Sequence, residues 1–529
     1  MSVLPYIAFA ITDENGIPRA GQILHGSVET QGYAIPNERR KKMKHRNLVQ
    51  TMAMIGLILA ATGLAFGAYH HMGEDDSGAF LAVYPDKTGT KLDSCNLCHS
   101  GGQYTNSKGQ LVTLGSCQWC HYSYGYDASG NIDETLNGYG KAYKANGSDQ
   151  AAVEAIKILD SDGDGYSNQI EIAATRYPGD GNDDPSKVAA PYRVYSLEQL
   201  ETMPQHEQFL LMNTHKSDDH YAEYSGVPVS DILRKSGILA SATDITVYAP
   251  DGFSQFHPLS PDPNPLFYHV NGTYPQATYY YDAQADISKS AVGWCDYSAP
   301  SCTGRINGDV IYNEGGLKML LAFERDGQYL TPGVLTPSNK LDGEGPFRIV
   351  PPQKNPGPPD QKSTSPNQAV IWPFDDPADH NAGFSSRSTT IIKVGPLPAG
   401  TTDIDVLEAG WNYIDARKLI IYGAIDPLPT VKEKMRNLVK SLCDLDRDAF
   451  KSPLFRGLFI ADARVVQKMI NKGHVKPALN HIEHHLLRKT DGCTDGDDPD
   501  RNDWIADCDA QKQVYWSINE IDVLLKIAR

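Results

Sequence analysis

What this chain lacks narrows its function first. It has 48 Lys and Arg against 65 Asp and Glu, with a net charge of -17 and an isoelectric point near 5.4. That balance argues against a phosphate-binding surface, because nucleic-acid partners need clustered cations to displace counterions. No nucleic-acid role is expected. The chain also has no G-x-S-x-G elbow, no H-E-x-x-H pair and no phosphate-cradling loop, so these hydrolase, zinc-protease and nucleotide-binding signatures are missing. No cysteine lies between Cys120 and Cys295. No internal repeat at a solenoid period is visible. From Ala68 to about Pro185 large aliphatic residues are scarce among Gly, Tyr, Asn and Asp, and a stretch this thin needs another source of order.

At 529 residues the chain is too long for one core and is expected to divide into roughly three domains. Arg39, Arg40, Lys41, Lys42, Lys44 and Arg46 precede the apolar run from Met52 to Ala65, the order of charge and hydrophobicity in a secretory signal. That run is shorter than the roughly 20 residues of a spanning helix. The expectation is therefore an upstream extension and signal over residues 1–67, with the signal itself at about 43–67 and cleavage after Gly67. The protein would touch a membrane only through an uncleaved signal. Cysteine usage fits export, since Cys295 with Cys302 and Cys493 with Cys508 are spaced for local disulfides. Cys443 is the odd one out.

Two strings carry the strongest chemistry. Cys95-Asn-Leu-Cys98-His99 and Cys117-Gln-Trp-Cys120-His121 each offer two thiols for thioether bonds to a porphyrin and an adjacent imidazole for its iron. They resemble the attachment sites of c-type cytochromes and imply two covalently bound haem c groups over residues 68–185. The alternative is a zinc ribbon, because 18 residues between Cys98 and Cys117 also satisfy C-x2-C-x15-20-C-x2-C. A ribbon has no need of histidine after both pairs, free thiolate sites are less common in exported chains, and no paired hairpin is expected in the segment. Haem would also supply the missing core. His70 and His71 are the candidate distal ligands. His206, His215, His220, His257, His269 and His380 are read as ordinary histidines, and His481, His484 and His485 as a solvated helix face.

The run Asp160-Ser-Asp162-Gly-Asp164-Gly165-Tyr166-Ser-Asn168-Gln-Ile-Glu171 matches D-x-[DN]-x-[DN]-G-x5-E at every defined position. Asp160, Asp162 and Asp164 offer carboxylates, Tyr166 a backbone carbonyl, Asn168 a ligand directly or through water, and Glu171 a bidentate carboxylate for Ca2+. Ala151 to Leu159 and Ile170 to Arg176 read as flanking helices. A weak, structural site is expected. Asp495, Asp497, Asp498, Asp500 and Asp503 form a second acidic cluster that does not fit this loop pattern.

From 192 to 426 the texture becomes short strands, among them Ile245 to Tyr248, Phe347 to Val350, Thr389 to Val394 and Lys418 to Tyr422, with Gly- and Pro-rich turns between them. Pro351 to Pro366 reads as an extended surface loop. From 430 to 529, Val431 to Leu442, Ala461 to Lys472, Lys476 to Leu487 and Ala510 to Ile527 show apolar residues at helical spacing. The expected fold is multidomain α+β. It comprises a haem-binding segment poor in regular structure with an EF-hand-like loop, a strand-rich mixed α/β middle domain and a C-terminal helical bundle.

Within the middle domain, Gly226-Val-Pro-Val-Ser-Asp231-Ile-Leu-Arg-Lys-Ser-Gly237, Val247-Tyr-Ala-Pro-Asp251-Gly252-Phe253, Leu320-Leu-Ala-Phe-Glu324 and Gly345-Pro346-Phe347-Arg348-Ile-Val-Pro351 resemble segments of the sulfite-oxidase-type molybdopterin-binding domain. The resemblance implies a helix beginning near Gly226, and in that family a cysteine thiolate located before this helix holds molybdenum. Phe209 to Tyr224 has no cysteine here, so molybdopterin is not expected and Arg348 is read as structural. The resulting expectation is electron transfer outside the cytoplasm, periplasmic or at the cell surface, with other redox proteins as partners. A haem-coupled oxidoreductase and a secreted calcium-binding scaffold or adhesion protein are the alternatives.

Overall fold

The computed structural model describes residues 74–94, 96–100, 103–105, 111–113, 135–212, 220–250, 254–260, 268–272, 279–280, 310–311, 313–336, 341–352, 381–405, 410–495 and 498–529, all within the unit Ala65–Arg529. The expected signal, His70, His71, Cys95, Cys117, Cys120, His121 and the pair Cys295 and Cys302 lie outside the described residues. The described chain mixes helix and sheet and ends in helices. None of its described helices is long and apolar enough to cross a membrane.

The stretch up to residue 185 holds more regular structure than expected, with helices at Glu74–Val83, Asn96–His99, Gly138–Ala145, Gln150–Ile156 and Asn168–Ala173. These helices are short, and two are started by side chains that accept a hydrogen bond from the first turn: Asn137 from the Gly140 N–H and Asp149 from the Ala152 N–H. A helix of two turns is too brief to write a clear apolar period. Phe80, Leu92, Tyr139, Tyr143, Ile156 and Tyr177 are among the side chains of a shared core. The tyrosines that made the sequence look polar are therefore partly its interior, and the segment has a core of its own side chains. A hairpin pairs Gln103–Thr105 with Leu111–Thr113 between the two cysteine motifs, where none was expected.

Two five-stranded sheets follow. The first runs in the order Tyr192–Ser196, Lys418–Gly423, Ile391–Gly395, Asp244–Tyr248, Ser254–Pro258, and its one parallel pair aligns Ile391 with Ile420. Alternation places Leu419, Ile421 and Ile392 in the largest core, and Ile420, Tyr422 and Ile391 in a smaller cluster on the other face. The second sheet centres on Leu320–Arg325, flanked by His220–Pro228 and by Arg348–Val350. Its Phe209, Tyr224, Leu321 and Ile349 join the same core as the first sheet.

The helix expected near Gly226 begins instead at Val229 and runs to Ser236. Gly226 belongs to the strand before it, where a Cβ would stand 2.1 Å from the Leu321 carbonyl oxygen, so strand pairing and not helix propensity decides its state. Gly237 ends the helix in the left-handed conformation.

The C-terminal helices are Leu428–Asp444, Pro453–Asn471, Val475–His481 with a π turn over Ile482–Leu486, and Cys508–Ile527. The second starts earlier than the apolar period indicated, because Ser452 caps it at the Phe455 N–H and Pro453 occupies its first turn. Their inward faces, with Met435, Phe459, Val466 and Ile518 among them, form one core. Cys493 and Cys508 are disulfide-bonded as expected, with Cα atoms 5.5 Å apart, and Cys443 is in no disulfide.

The turns of the early segment meet the stretch Thr401–Asp405 through buried charge. Lys91 is fully buried, its Nζ 2.5 Å from Asp183 Oδ2, while its backbone N–H donates to Asp405. Asp183 also accepts from Thr402 Oγ1 and the Tyr177 N–H. Beside them Thr401–Thr402 pairs with Val188–Ala189.

Candidate functional site

Of the first cysteine motif, Asn96–His99 forms a single helical turn. A turn this short leaves carbonyls without intrahelical donors, and Asn137 supplies them. Its Nδ2 donates to the carbonyls of Leu97 at 3.0 Å and Ser100 at 3.1 Å. Its backbone N–H donates to the Cys98 carbonyl at 2.8 Å. The Oδ1 of the same residue caps Gly138–Ala145. That helix lies so close that a Cβ at Gly140 would meet the Cys98 carbonyl oxygen at 2.5 Å.

His99 is 8% exposed. Its Nδ1 stands 2.9 Å from Thr135 Oγ1 and 3.3 Å from the Thr135 carbonyl. The carbonyl can only accept and the hydroxyl can do either, so with Nδ1 as the donor Nε2 would carry the lone pair. Ligating histidines use this tautomer, held by a hydrogen bond from the other ring nitrogen. The sequence reading missed both Thr135 and Asn137. Asn137-Gly138 ahead of a helical stretch carried a capping signal, whereas nothing local marked Thr135.

The acidic loop abuts the start of the helix Gly138–Ala145, since a Cβ at Gly138 would strike the Ser161 carbonyl oxygen at 1.9 Å. Gly163 and Gly165 take φ of 83° and 101°, which lets the chain curl while Asp160 accepts from their N–H groups at 2.7 and 3.0 Å. Oxygens of Asp160, Asp162 and Asp164 converge to within 4.8 Å of one another. Glu171 is fully buried, and both its oxygens lack a hydrogen-bond partner, as do Asp162 Oδ2 and Asp164 Oδ2. Burial, and then the charges of Asp162 and Asp164, push the Glu171 carboxyl up to about 9. Burial and the Asp164 charge push Asp162 up to about 6. Four buried oxygens without donors, all hard ligands, make a donor set suited to Ca2+.

Asn168 has a bracing part. Its Nδ2 donates to the Ile156 carbonyl at 2.8 Å and its Oδ1 accepts from the Ser161 N–H at 3.3 Å, closing the loop. The flanking helices are Gln150–Ile156 and Asn168–Ala173, each shorter or earlier than expected. The Tyr166 N–H donates to Asp164 Oδ1 at 2.8 Å.

In the second sheet Arg348 is buried, and its guanidinium binds Glu344 at 2.9 Å, Tyr224 Oη at 3.1 Å and Ser385 Oγ at 2.7 Å. These contacts set the buried guanidinium charge against the Glu344 carboxylate. The residues before Val229 that would have to supply a thiolate form the hairpin His206–Met212 and His220–Pro228, whose described part holds no sulfur ligand but Met212. Of the C-terminal histidines, His484 and His485 are exposed, and the rings of His481 and His485 stack at 4.5 Å, consistent with a helix face that meets solvent. No family model, no curated protein and no solved structure matches this chain.

Proposed function

We propose that this protein carries electrons outside the cytoplasm as a dihaem c-type cytochrome stabilised by calcium. The observation that carries the reading is His99, buried in a cysteine motif with its Nδ1 2.9 Å from Thr135 Oγ1. Cys95, Cys98 and His99 would hold one haem, and Cys117, Cys120 and His121 the other. His70 and His71 are the proposed distal ligands. When bound, haem supplies reversible one-electron chemistry at its iron. The chain's own part is to fix the ligand: Thr135 orients the imidazole, Asn137 ties down the carbonyls of the turn, and the loop behind Gly138 braces both.

Asp160, Asp162, Asp164 and Glu171 would hold Ca2+, with Tyr166 through its carbonyl and Asn168 as a brace. In this reading residues 1–67 export the chain and are removed, 68–185 form the redox domain, 192–426 a sulfite-oxidase-like scaffold without molybdenum, and 430–529 a helical domain. Redox proteins are the proposed partners. The hairpin between the motifs favours a second reading, a zinc ribbon on the same four thiols, because ribbons use paired strands.

A pyridine-haemochrome spectrum with zinc and iron analysis of the exported protein separates the two. Haem absorbance with about two irons per chain supports the proposal. A colourless protein with zinc on its cysteines replaces it.

A further inference from the structure

A second group of carboxylates converges far from the first loop. The disulfide Cys493–Cys508 closes a segment of 15 residues. Inside or beside it, oxygens of Asp491, Asp500 and Asp503 come within 4.8 Å of one another. Such a cluster on a surface would mean little. This one is partly interior: Asp503 is 1% exposed, and its Oδ1 is buried without a hydrogen-bond partner. The Oδ1 of Asp491 is buried and unpartnered as well.

Two of the other oxygens are already engaged by backbone. Asp503 Oδ2 accepts from the Asp500 N–H at 2.6 Å, and Asp500 Oδ1 accepts from the N–H groups of Asn502 at 2.9 Å and Asp503 at 3.1 Å. Gly492 lets the chain pass, since a Cβ there would stand 2.3 Å from Asp503 Oδ2. The nearby cations are turned elsewhere. Lys451 Nζ donates to the Asp500 carbonyl rather than to a carboxylate, and Lys489 Nζ lies over the Trp504 ring, 5.4 Å from its centre. Among the described residues no Lys, Arg or His forms an ion pair with any of the three carboxylates. The Gln511 side chain and the Gly492 N–H also reach Asp503, but no cation among the described residues faces the cluster, and carboxylates that repel one another in a partly buried setting need a compensating charge.

We infer that Asp491, Asp500 and Asp503 form a second divalent-cation site that takes calcium and pins the disulfide-closed segment against the helix Cys508–Ile527. All three ligands are hard oxygens, with neither imidazole nor thiolate among them, which selects Ca2+ over zinc or copper. The site is independent of the loop at 160–171 and of the haem reading.

Equilibrium dialysis of the full exported chain against calcium alone tests it. The wild type is expected to bind two ions per chain. Asp160→Asn with Asp162→Asn is expected to retain one, and Asp500→Asn with Asp503→Asn to retain the other. Asp491→Asn, at a less buried position, is expected to weaken the second ion at least tenfold with the helical circular dichroism unchanged, and it serves if Asp503→Asn does not fold. Loss of all calcium in Asp160→Asn with Asp162→Asn overturns the inference, as does a wild type whose calcium is unaltered by Asp491→Asn. If instead the first loop binds nothing, the wild type binds one ion and Asp491→Asn removes it, so failure of either site is told from failure of the other. A proton shared within the cluster in place of a cation would appear as one ion in the wild type and none in Asp160→Asn with Asp162→Asn.

Discussion

Asn137 starts the helix Gly138–Ala145 with its side-chain oxygen and, with its two kinds of N–H, ties down the carbonyls of Leu97, Cys98 and Ser100. Removing that side chain deletes a cap, about 1 kcal/mol, and leaves buried carbonyls unsatisfied at about 1 to 3 kcal/mol each. Asn137→Ala is therefore expected to lower stability by about 3 kcal/mol and to reduce covalent haem loading, read by urea unfolding and by absorbance per chain. Asn137→Asp keeps the acceptor and should recover the cap alone.

Glu344 gives a pH dependence with a definite sign. Burial acts to raise its carboxyl, but Arg348 and Arg325 outweigh it and hold the group below its ordinary value of 4.5. Its folded value being depressed, its stabilisation is present above that ordinary value and is lost as pH falls through the depressed one. Glu344→Gln, which strands the buried Arg348, is expected to cost about 3 kcal/mol at neutral pH. The gap to wild type should close as unfolding is measured at successively lower pH below 4.5. A gap of constant size would assign the effect to packing. The convergence of Asp160, Asp162 and Asp164 could be read from sequence because the loop pattern sets their local spacing. Thr135 could not, since it reaches His99 across 36 residues.

At the scale of elements, β-branched runs made the strands near Val247, Ile392 and Ile420 legible. Helix starts were less so where a cap and not an apolar period set them, as at Ser452 and Pro453. Gly226 shows the opposite error, because a helix-like string was claimed by strand pairing that only the contact with Leu321 reveals. Asp491 escaped notice because it lies outside the acidic run that drew attention and reaches Asp503 only through the folded segment. The Cys493–Cys508 bond closes 15 residues, a loop for which chain entropy gives about 3 kcal/mol. The double variant Cys493→Ser, Cys508→Ser is expected to lose up to that amount in urea unfolding, with the loss smaller at saturating calcium if the ion also orders the segment. An undiminished stability would mean that packing alone holds this end.

For the molecule as a whole, the buried pair Lys91 and Asp183 joins residues 92 apart in sequence, and Lys91 also meets Asp405, 314 residues on. No local pattern could have shown that junction. Breaking a buried pair by removing one partner costs about 3 to 5 kcal/mol, although a matched apolar replacement of both can be neutral. Lys91→Met is accordingly expected to destabilise the protein by about 3 kcal/mol or more, and Lys91→Met with Asp183→Leu to recover part of the loss; the two are compared by urea unfolding. Equal losses would show that the junction depends on the polar contacts of Asp183 with Thr402 and Tyr177 and not on the ion pair. The electron-carrier account itself rests on covalent porphyrin. Its most direct test is the intact mass of the exported, purified chain after denaturation: the account predicts the mass of a polypeptide beginning near Ala68 plus two haems, and a mass equal to the bare polypeptide would contradict it.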